Sequence, residues 1–176
     1  MDTTISRPGF DPMDLRIIPG KRLAYLLDDF LPPFPFDRHG PMEKGFLIDG
    51  ASVPNTAQGI AKLFGIDLDP FGDLLPGAIP HDWYYKLCLL CPRLEADQIM
   101  REVLKLYQNA GYAIPSYSIH GSYAVLRAAG GFTWNPREEA IRAGNRMALD
   151  APLIYDLDTY VPIKTVGDVL AAKGLA

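Results

Sequence analysis

A group of polar residues inside an apolar stretch constrains this chain more than any other part of its sequence. Residues 78–85 read Ala-Ile-Pro-His-Asp-Trp-Tyr-Tyr, and residues 93–97 read Arg-Leu-Glu-Ala-Asp. A buried polar group costs free energy unless it is paired, so the fold must bring these side chains to partners. Two interpretations follow. The group is a hydrolytic or metal site, or it is a polar clamp that only holds two helices together.

Composition limits the class of protein. The chain has 176 residues, which suffices for one domain with a hydrophobic core. With 17 basic and 21 acidic residues, the net charge of −4 gives no electrostatic reason to expect a nucleic-acid partner. No apolar run approaches the roughly 18 residues that span a bilayer, so we expect no transmembrane segment. The N-terminal Met-Asp-Thr-Thr lacks the basic-then-apolar pattern of a signal peptide.

Prolines and glycines, sixteen of each, indicate short elements separated by many turns. Strands are predicted over residues 15–18, 22–31 and 44–49, with a turn at Pro19-Gly20. Helices are predicted over residues 54–64, 93–110 and 116–129, followed by a short helix capped by Asn135-Pro136 and reaching Met147. An apolar segment that runs to Leu90 is considered below as a helix over residues 79–87. Extended chain over 153–163 and a small helix over 165–174 complete the pattern.

Strands therefore come first and helices after, which predicts an α+β fold. We expect a small antiparallel N-terminal sheet packed on a bundle of three to four helices. Residues 1–13 are polar and are expected to form a loose N-terminal arm. Residues 14–134 are expected to form one α+β domain, and residues 135–176 a C-terminal extension that packs on the domain or on a partner.

A helix over residues 79–87 would place His81 and Tyr85 on one face, because they are four residues apart. Asp82 would be turned by roughly 100° from His81. The two are thus poorly placed to form a dyad, and Asp97 on the next helix is the natural carboxylate to orient the His81 ring. A histidine held by a carboxylate can act as a general base near neutral pH.

The other carboxylates allow a metal or a structural role. Asp82 could be a hard oxygen ligand for Ca²⁺ or Mg²⁺. Asp49, at the end of the third strand, could be a further carboxylate for the same metal or a cap on backbone donors in a turn. Arg93 stands four residues before Asp97, so a simple helix ion pair also accounts for both.

Cys88 and Cys91 form a C-x-x-C pair. A zinc site needs about four ligands, and a redox pair should follow a strand in a βαβ unit, which the pattern lacks. We interpret the two cysteines as small apolar residues at a helix end.

Four ordered blocks resemble a family of mostly phage- and prophage-encoded proteins known as domain of unknown function 1353. The blocks are Ile-Asp-Gly-Ala-Ser-Val-Pro at 48–54, the stretches 78–85 and 93–97, and Tyr-Ala-Val-Leu-Arg, Gly-Gly and Trp within 123–134. The resemblance implies a phage accessory protein located in the host cytoplasm or the virion. Other phage structural proteins would then be its partners, and its oligomeric state is left open.

A second resemblance concerns the H-D-x-x-Y arrangement of His81, Asp82 and Tyr85 with the later Asp97. It is similar to the active-site helices of secreted phospholipase A2 enzymes. That resemblance implies His81 as the base, Asp82 as a Ca²⁺ ligand, Asp97 as the orienting carboxylate and Tyr85 as its support. The chain lacks the disulfide framework and the glycine-rich calcium loop of that family.

Two classes of function therefore stand open. In the leading one, the chain is a virion or assembly component of a phage, and the cluster is a structural clamp. In the alternative, it is a Ca²⁺-dependent, phospholipase A2-like ester hydrolase using His81, Asp82 and Asp97. The exposure of His81 at a pocket and its distance from Asp97 discriminate between them.

Overall fold

Four short strands near the N-terminus form one antiparallel sheet. In the computed structural model, which describes residues 2–7, 10–21, 23–49 and 72–175, the strands lie side by side in chain order. They are β1 (Asp2–Arg7), β2 (Phe10–Ile17), β3 (Ala24–Leu26) and β4 (Leu47–Ile48). The predicted turn at Pro19-Gly20 lies between β2 and β3, where the Ile18 amide donates to the Leu23 carbonyl at 2.9 Å. Gly20 has φ of +72°, a conformation that glycine adopts at little cost.

The N-terminal segment differs from the loose arm that its composition indicated. β1 pairs with β2, with Thr3 opposite Leu15 and Ile5 opposite Met13. This hairpin gives the backbone donors and acceptors of residues 2–7 that face β2 partners within the sheet. The edge strand of the sheet therefore comes from residues that the sequence pattern left without structure.

Helices follow the sheet, as the α+β prediction requires. The described residues contain α1 (Leu75–Lys86), α2 (Arg93–Asn109), α3 (Ser116–Ala129), α4 (Gly131–Arg142), α5 (Arg146–Leu149) and α6 (Val166–Ala172). The predicted fold class is confirmed, and the bounds of α2 and α3 agree with the predicted helices. The helix predicted over residues 54–64 lies outside the described residues. No helix in the described part of the chain is long and apolar enough to cross a membrane.

The start of α4 was predicted wrongly. Asn135-Pro136 was expected to begin a helix, but α4 begins at Gly131 and contains Pro136 in its interior. Gly130 keeps right-handed helical angles, φ −61° and ψ −24°, and joins α3 to α4 without a loop. The end of this helix also differs from the prediction, because α4 ends at Arg142 and does not reach Met147. Asn145 caps the separate helix α5 by accepting from the Met147 amide at 2.9 Å.

The C-terminal segment returns to the N-terminal sheet. β5 (Pro152–Tyr155) and β6 (Pro162–Thr165) form an antiparallel pair, as the extended pattern predicted. The Tyr155 amide donates to the Gly45 carbonyl at 3.0 Å, and Ile154 bridges to Phe46. Thr165 then caps α6 in a reciprocal arrangement with Asp168.

Helix α1 lies at the centre of the fold. Its residues from Leu75 to Tyr85 are all buried, so polar residues on this helix face the protein interior in every direction. α2 packs against it with the apolar face that the periodicity predicted, made of Ala96, Met100, Val103, Leu104 and Tyr107. The two helices approach closely at Gly77, where a Cβ atom would lie 2.6 Å from Leu104 Cγ and 2.8 Å from the Met100 carbonyl oxygen.

Substitution Gly77→Ala tests this close approach. Replacing glycine in an unhindered helix stabilises it, whereas an added methyl group in a tightly packed core costs about 2 kcal/mol. We expect Gly77→Ala to lower the free energy of unfolding by about that amount, measured by urea denaturation. A stability equal to or above that of the wild type would show that α1 and α2 do not pack so closely.

Candidate functional site

The site is built on α1, which carries four polar side chains within two turns. His81 and Asp82 are each only 4% exposed, and Tyr85 is 7% exposed. Lys86 is half-buried at the end of the helix. Pro80, in the helix interior, cannot donate a backbone hydrogen bond, so the local ladder is interrupted immediately before His81. The sequence thus buries several polar side chains on one helix and, at Pro80, lacks one backbone hydrogen bond of that helix.

The structure brings His81 together, across α1 and α2, with Asp97, the carboxylate that was expected to orient its ring. His81 Nε2 lies 3.4 Å from Asp97 Oδ1, and Asp97 is fully buried. This distance is longer than an ordinary hydrogen bond but well within the range of an ion pair. Asp97 is therefore placed to orient the ring.

Asp97 is held tightly by two other side chains. The Tyr85 hydroxyl donates to Asp97 Oδ1 at 2.7 Å, and Arg127 Nη1 on α3 donates to Asp97 Oδ2 at 2.7 Å. Arg93 Nε lies farther away, at 3.9 Å from Oδ2, so the helix ion pair expected from the sequence is the looser contact. Arg93 instead donates to the Arg127 carbonyl at 3.1 Å. Three helices converge on one carboxylate.

Arg127 is the residue whose role the sequence reasoning missed. It lies thirty residues after Asp97, so no helical spacing connects them. Its position within the Tyr-Ala-Val-Leu-Arg block of the family resemblance was the available signal.

Asp82 lies on the other side of the His81 ring, contrary to the expectation that the two residues are poorly placed to interact. His81 Nδ1 is 3.6 Å from Asp82 Oδ1. Their side chains diverge at Cβ, but the imidazole is long enough to present its Nδ1 edge to the neighbouring carboxyl group. Asp82 Oδ2 also accepts from the Asp49 backbone amide at 3.1 Å, which ties α1 to the end of β4.

The pKa values of these groups are shifted in a coordinated way. Burial opposes charge on His81, but hydrogen bonding and attraction from Asp82 and Asp97 outweigh it and raise the pKa of His81. Burial also opposes charge on Asp97, yet contacts with His81, Tyr85 and Arg127 keep its pKa low. Burial, together with the nearby Asp49 charge, raises the pKa of Asp82 to about 7. One carboxylate stays ionised while the other titrates near neutral pH.

A cavity of about 100 Å³ opens beside this cluster. Its polar lining includes Asp49, His81, Asp82, Lys86 and Arg137. Asp97 is not part of the lining, whereas the two residues that contact it from α1, His81 and Tyr85, are. Nδ1 of His81 faces Asp82, which also lines the cavity. A space of this size admits water or a small polar group.

Aromatic packing fixes the ring further. The centroids of the His81 and Tyr85 rings are 4.0 Å apart, and Tyr85 packs edge-on against Trp134 of α4 at 4.9 Å. Gly130 leaves room for the Tyr85 hydroxyl, because a Cβ atom there would overlap it. Gly130 of the fourth sequence block thus allows the position of Tyr85, and Gly131 leaves room for the Arg93 guanidinium.

The donor set does not fit a calcium site within the described residues. Asp82 and Asp49 supply carboxylate oxygens, but the Lys86 ammonium shares their cavity and attracts both electrostatically. Ca²⁺ takes roughly six to eight oxygen ligands. No group of three or more metal-binding side chains occurs in the part of the chain that the structure describes. Residues 50–54, which complete the predicted turn after Asp49, lie outside that part.

Cys88 and Cys91 match the apolar interpretation. Both are free and buried just after α1. Burial raises the pKa of Cys88 to about 11 and that of Cys91 to about 12, so neither forms a reactive thiolate near neutral pH.

Comparison with known proteins gives one match. The family model described as Protein of unknown function (DUF1353) matches residues 36–113. This span contains Asp49, α1 and α2, and it supports the resemblance there, but it ends before Arg127. No curated protein matches the chain significantly. No solved structure does so either.

Substitution Asp97→Asn tests whether the buried carboxylate holds the helices together. Asparagine is similar in shape but leaves Arg127 without its counter-charge, so we expect a loss of about 3 kcal/mol in the free energy of unfolding. The exposed Asp150 provides the matched control, and Asp150→Asn should change stability little. Equal effects of the two substitutions in urea denaturation would contradict this role.

The pH dependence of stability tests the Asp82 environment. The folded pKa of Asp82, about 7, is above its ordinary value of 3.8, so folding favours the proton and stability falls as pH rises between these values. The raised pKa of His81 acts in the same direction, because its contribution is lost above 6.5 as pH passes through the folded pKa. We expect wild-type stability to fall from pH 5 to pH 8, by at most about 1.4 kcal/mol per pH unit for each proton.

Asp82→Asn should flatten this decline, since it removes one titrating group and lowers the pKa of His81. Urea denaturation at pH 5, 6, 7 and 8 measures both curves. Parallel curves for the wild type and Asp82→Asn would rule out the raised pKa of Asp82.

Proposed function

We propose that the chain is a hydrolase in which His81 acts as general base on the water that attacks an ester. One observation carries the proposal: His81 lines a cavity and lies against a locked, buried Asp97, with Nε2 3.4 Å from the carboxylate oxygen Oδ1. A fixed carboxylate on one nitrogen sets the tautomer and leaves the other nitrogen to accept a proton. Tyr85 and Arg127 keep Asp97 ionised for this task.

The reaction would proceed through protein groups. His81 Nδ1 takes a proton from water, and the water oxygen bonds to the carbonyl carbon of the ester. The resulting imidazolium is stabilised by Asp97, as in other histidine–carboxylate pairs. When the tetrahedral intermediate collapses, the bond to the leaving oxygen breaks and His81 returns the proton to that oxygen. Asp82, protonated in part near neutral pH, is a second proton donor at the same cavity.

The residues around Asp97, which form the inner half of the polar cluster, also support the likeness to phospholipase A2. In support of it, the Tyr85 hydroxyl donates to Asp97 Oδ1, and His81 Nε2 lies 3.4 Å from the same oxygen. The outer half of the cluster, around Asp82 and the cavity, differs because Lys86 accompanies Asp82 where that resemblance would place Ca²⁺. Among the described residues, the side chains around Asp82 and Asp49 therefore do not favour a role for these two carboxylates as Ca²⁺ ligands.

The second candidate is a phage- or prophage-encoded accessory protein, a virion or assembly component in which the cluster is a structural clamp. Its phage association comes from the family resemblance. The observation that favours the clamp is burial, since Asp97 is fully buried and joins α1, α2 and α3. A clamp alone, however, would not need His81, because Tyr85 and Arg127 already satisfy both oxygens of Asp97.

Hydrolysis of p-nitrophenyl butyrate by the wild type, His81→Gln and Asp97→Asn tests the hydrolase. We expect His81→Gln to lower kcat/KM by about 100-fold or more, because general-base catalysis is lost. The exposed His120 gives a matched control, and His120→Gln should retain full activity. Since the pKa of His81 is raised, the rising limb of the pH–rate profile should lie above pH 6.5, and Asp82→Asn should move it to lower pH.

Other outcomes separate the candidates. Equal rates for wild-type protein and folded His81→Gln would contradict catalysis and leave the clamp. Activity lost with EDTA and restored by Ca²⁺ would favour the calcium-dependent phospholipase-like alternative, whereas we expect EDTA to have no effect.

A further inference from the structure

We propose that Lys86 and Arg137 form a subsite that binds an oxyanion of the substrate, a carboxylate or a phosphate, next to His81. The inference deepens the proposed hydrolase by naming the class of substrate, and it rests on that function for its catalytic meaning. It is carried by the cavity itself, whose lining contains two cations from different elements, Lys86 of α1 and Arg137 of α4.

Lys86 lines the cavity, and its ammonium is bound by neutral groups of the sheet side. Its ammonium donates to the Leu47 carbonyl and lies 4.9 Å from the centre of the Phe46 ring. Within the described residues, Lys86 forms no ion pair with a carboxylate. Burial lowers its pKa and the nearby charge of Arg137 acts in the same direction, whereas the charges of Asp82 and Asp49 raise it. A desolvated cation that no carboxylate contacts directly is costly, and an anionic ligand in direct contact would reduce that cost.

Arg137 is positioned in a similar way. Its Nη1 donates to the Tyr85 carbonyl at 3.3 Å, which fixes the guanidinium at the end of α1. It too makes no ion pair within the described part of the chain. The adjacent carboxylate of Glu138 does not pair with Arg137, because it accepts hydrogen bonds from Trp134 and Arg142. Guanidinium groups have five donors in a planar fork that matches carboxylate and phosphate oxygens.

Two acidic groups in the cavity do not cancel these cations. Asp82 has its pKa raised to about 7, so it is partly uncharged at neutral pH. Asp49 lies beside Asp82, to which its backbone amide donates, on the β4 side of the cavity. Arg137 belongs to α4 and not to the β4 end that carries Asp49, and it adds a second positive charge to that of Lys86. The resulting subsite favours an ester that carries an oxyanion close to the bond that is cleaved.

Binding of acetate and of inorganic phosphate, measured by NMR titration at constant ionic strength, tests the subsite without any need for turnover. We expect saturable binding to the wild type and about tenfold weaker binding to Arg137→Gln and to Lys86→Met, because each removes a charge-assisted contact. Arg142→Gln, an exposed arginine on the same helix, is the matched control and should leave the affinity unchanged. Circular dichroism verifies that each variant is folded.

The outcomes are distinguishable from failure of the hydrolase. Binding that depends on Lys86 and Arg137, in a protein that does not hydrolyse esters, would establish the subsite and reject the catalytic proposal. Hydrolysis that depends on His81, with anion affinity unchanged in Arg137→Gln, would support the catalytic proposal and reject the subsite. No saturable binding of either anion to the wild type, or equal losses in Arg142→Gln, would overturn the subsite.

Discussion

The buried charge of Asp97 is the constraint on which the rest of this structure depends. An ionised carboxylate without partners in the interior would cost several kcal/mol, so the chain must deliver donors to it. Tyr85 comes from α1 and Arg127 from α3, each at 2.7 Å. Neither donor can reach Asp97 unless the three helices are in register. The carboxylate therefore selects one arrangement of helices that apolar packing alone would leave less specific.

The same constraint divides the polar cluster into two halves with different properties. In the inner half, Asp97 is satisfied by strong contacts and stays ionised. His81 lies at the boundary, 3.4 Å from Asp97 and 3.6 Å from Asp82, and neither contact is a short hydrogen bond. In the outer half, Asp82 titrates near neutral pH at the wall of a cavity. Environments that push apart the pKa values of two carboxyl groups around one histidine are typical of acid–base sites.

Local patterns in the sequence predicted the parts of the fold that depend on local physics. The apolar period predicted α2, and the glycine pair after residue 129 marked the end of α3. The contact of His81 with Asp97 was expected from the need of a histidine base for an orienting carboxylate, which helix geometry permits. Pro136 misled the reading of α4, because proline is favoured at a helix start and the helical angles of Gly130 have no local signature. Arg127 and Arg137 reach the site only through tertiary packing, so their spacing in the sequence carried no information about it.

The identity of the cation beside Asp82 decides what chemistry the outer half can support. Lys86 follows Asp82 by four residues on the same helix, which places both on one face of α1. A lysine is a monovalent donor that is covalently fixed, whereas a metal is divalent and requires several oxygen ligands. Lys86 and Arg137 together thus provide positive charge at the cavity without a metal, and they do so by hydrogen bonds as well as by charge. On this reasoning the proposed subsite would stabilise negative charge on a substrate oxygen through Lys86 and Arg137, whose side chains the fold already holds in position.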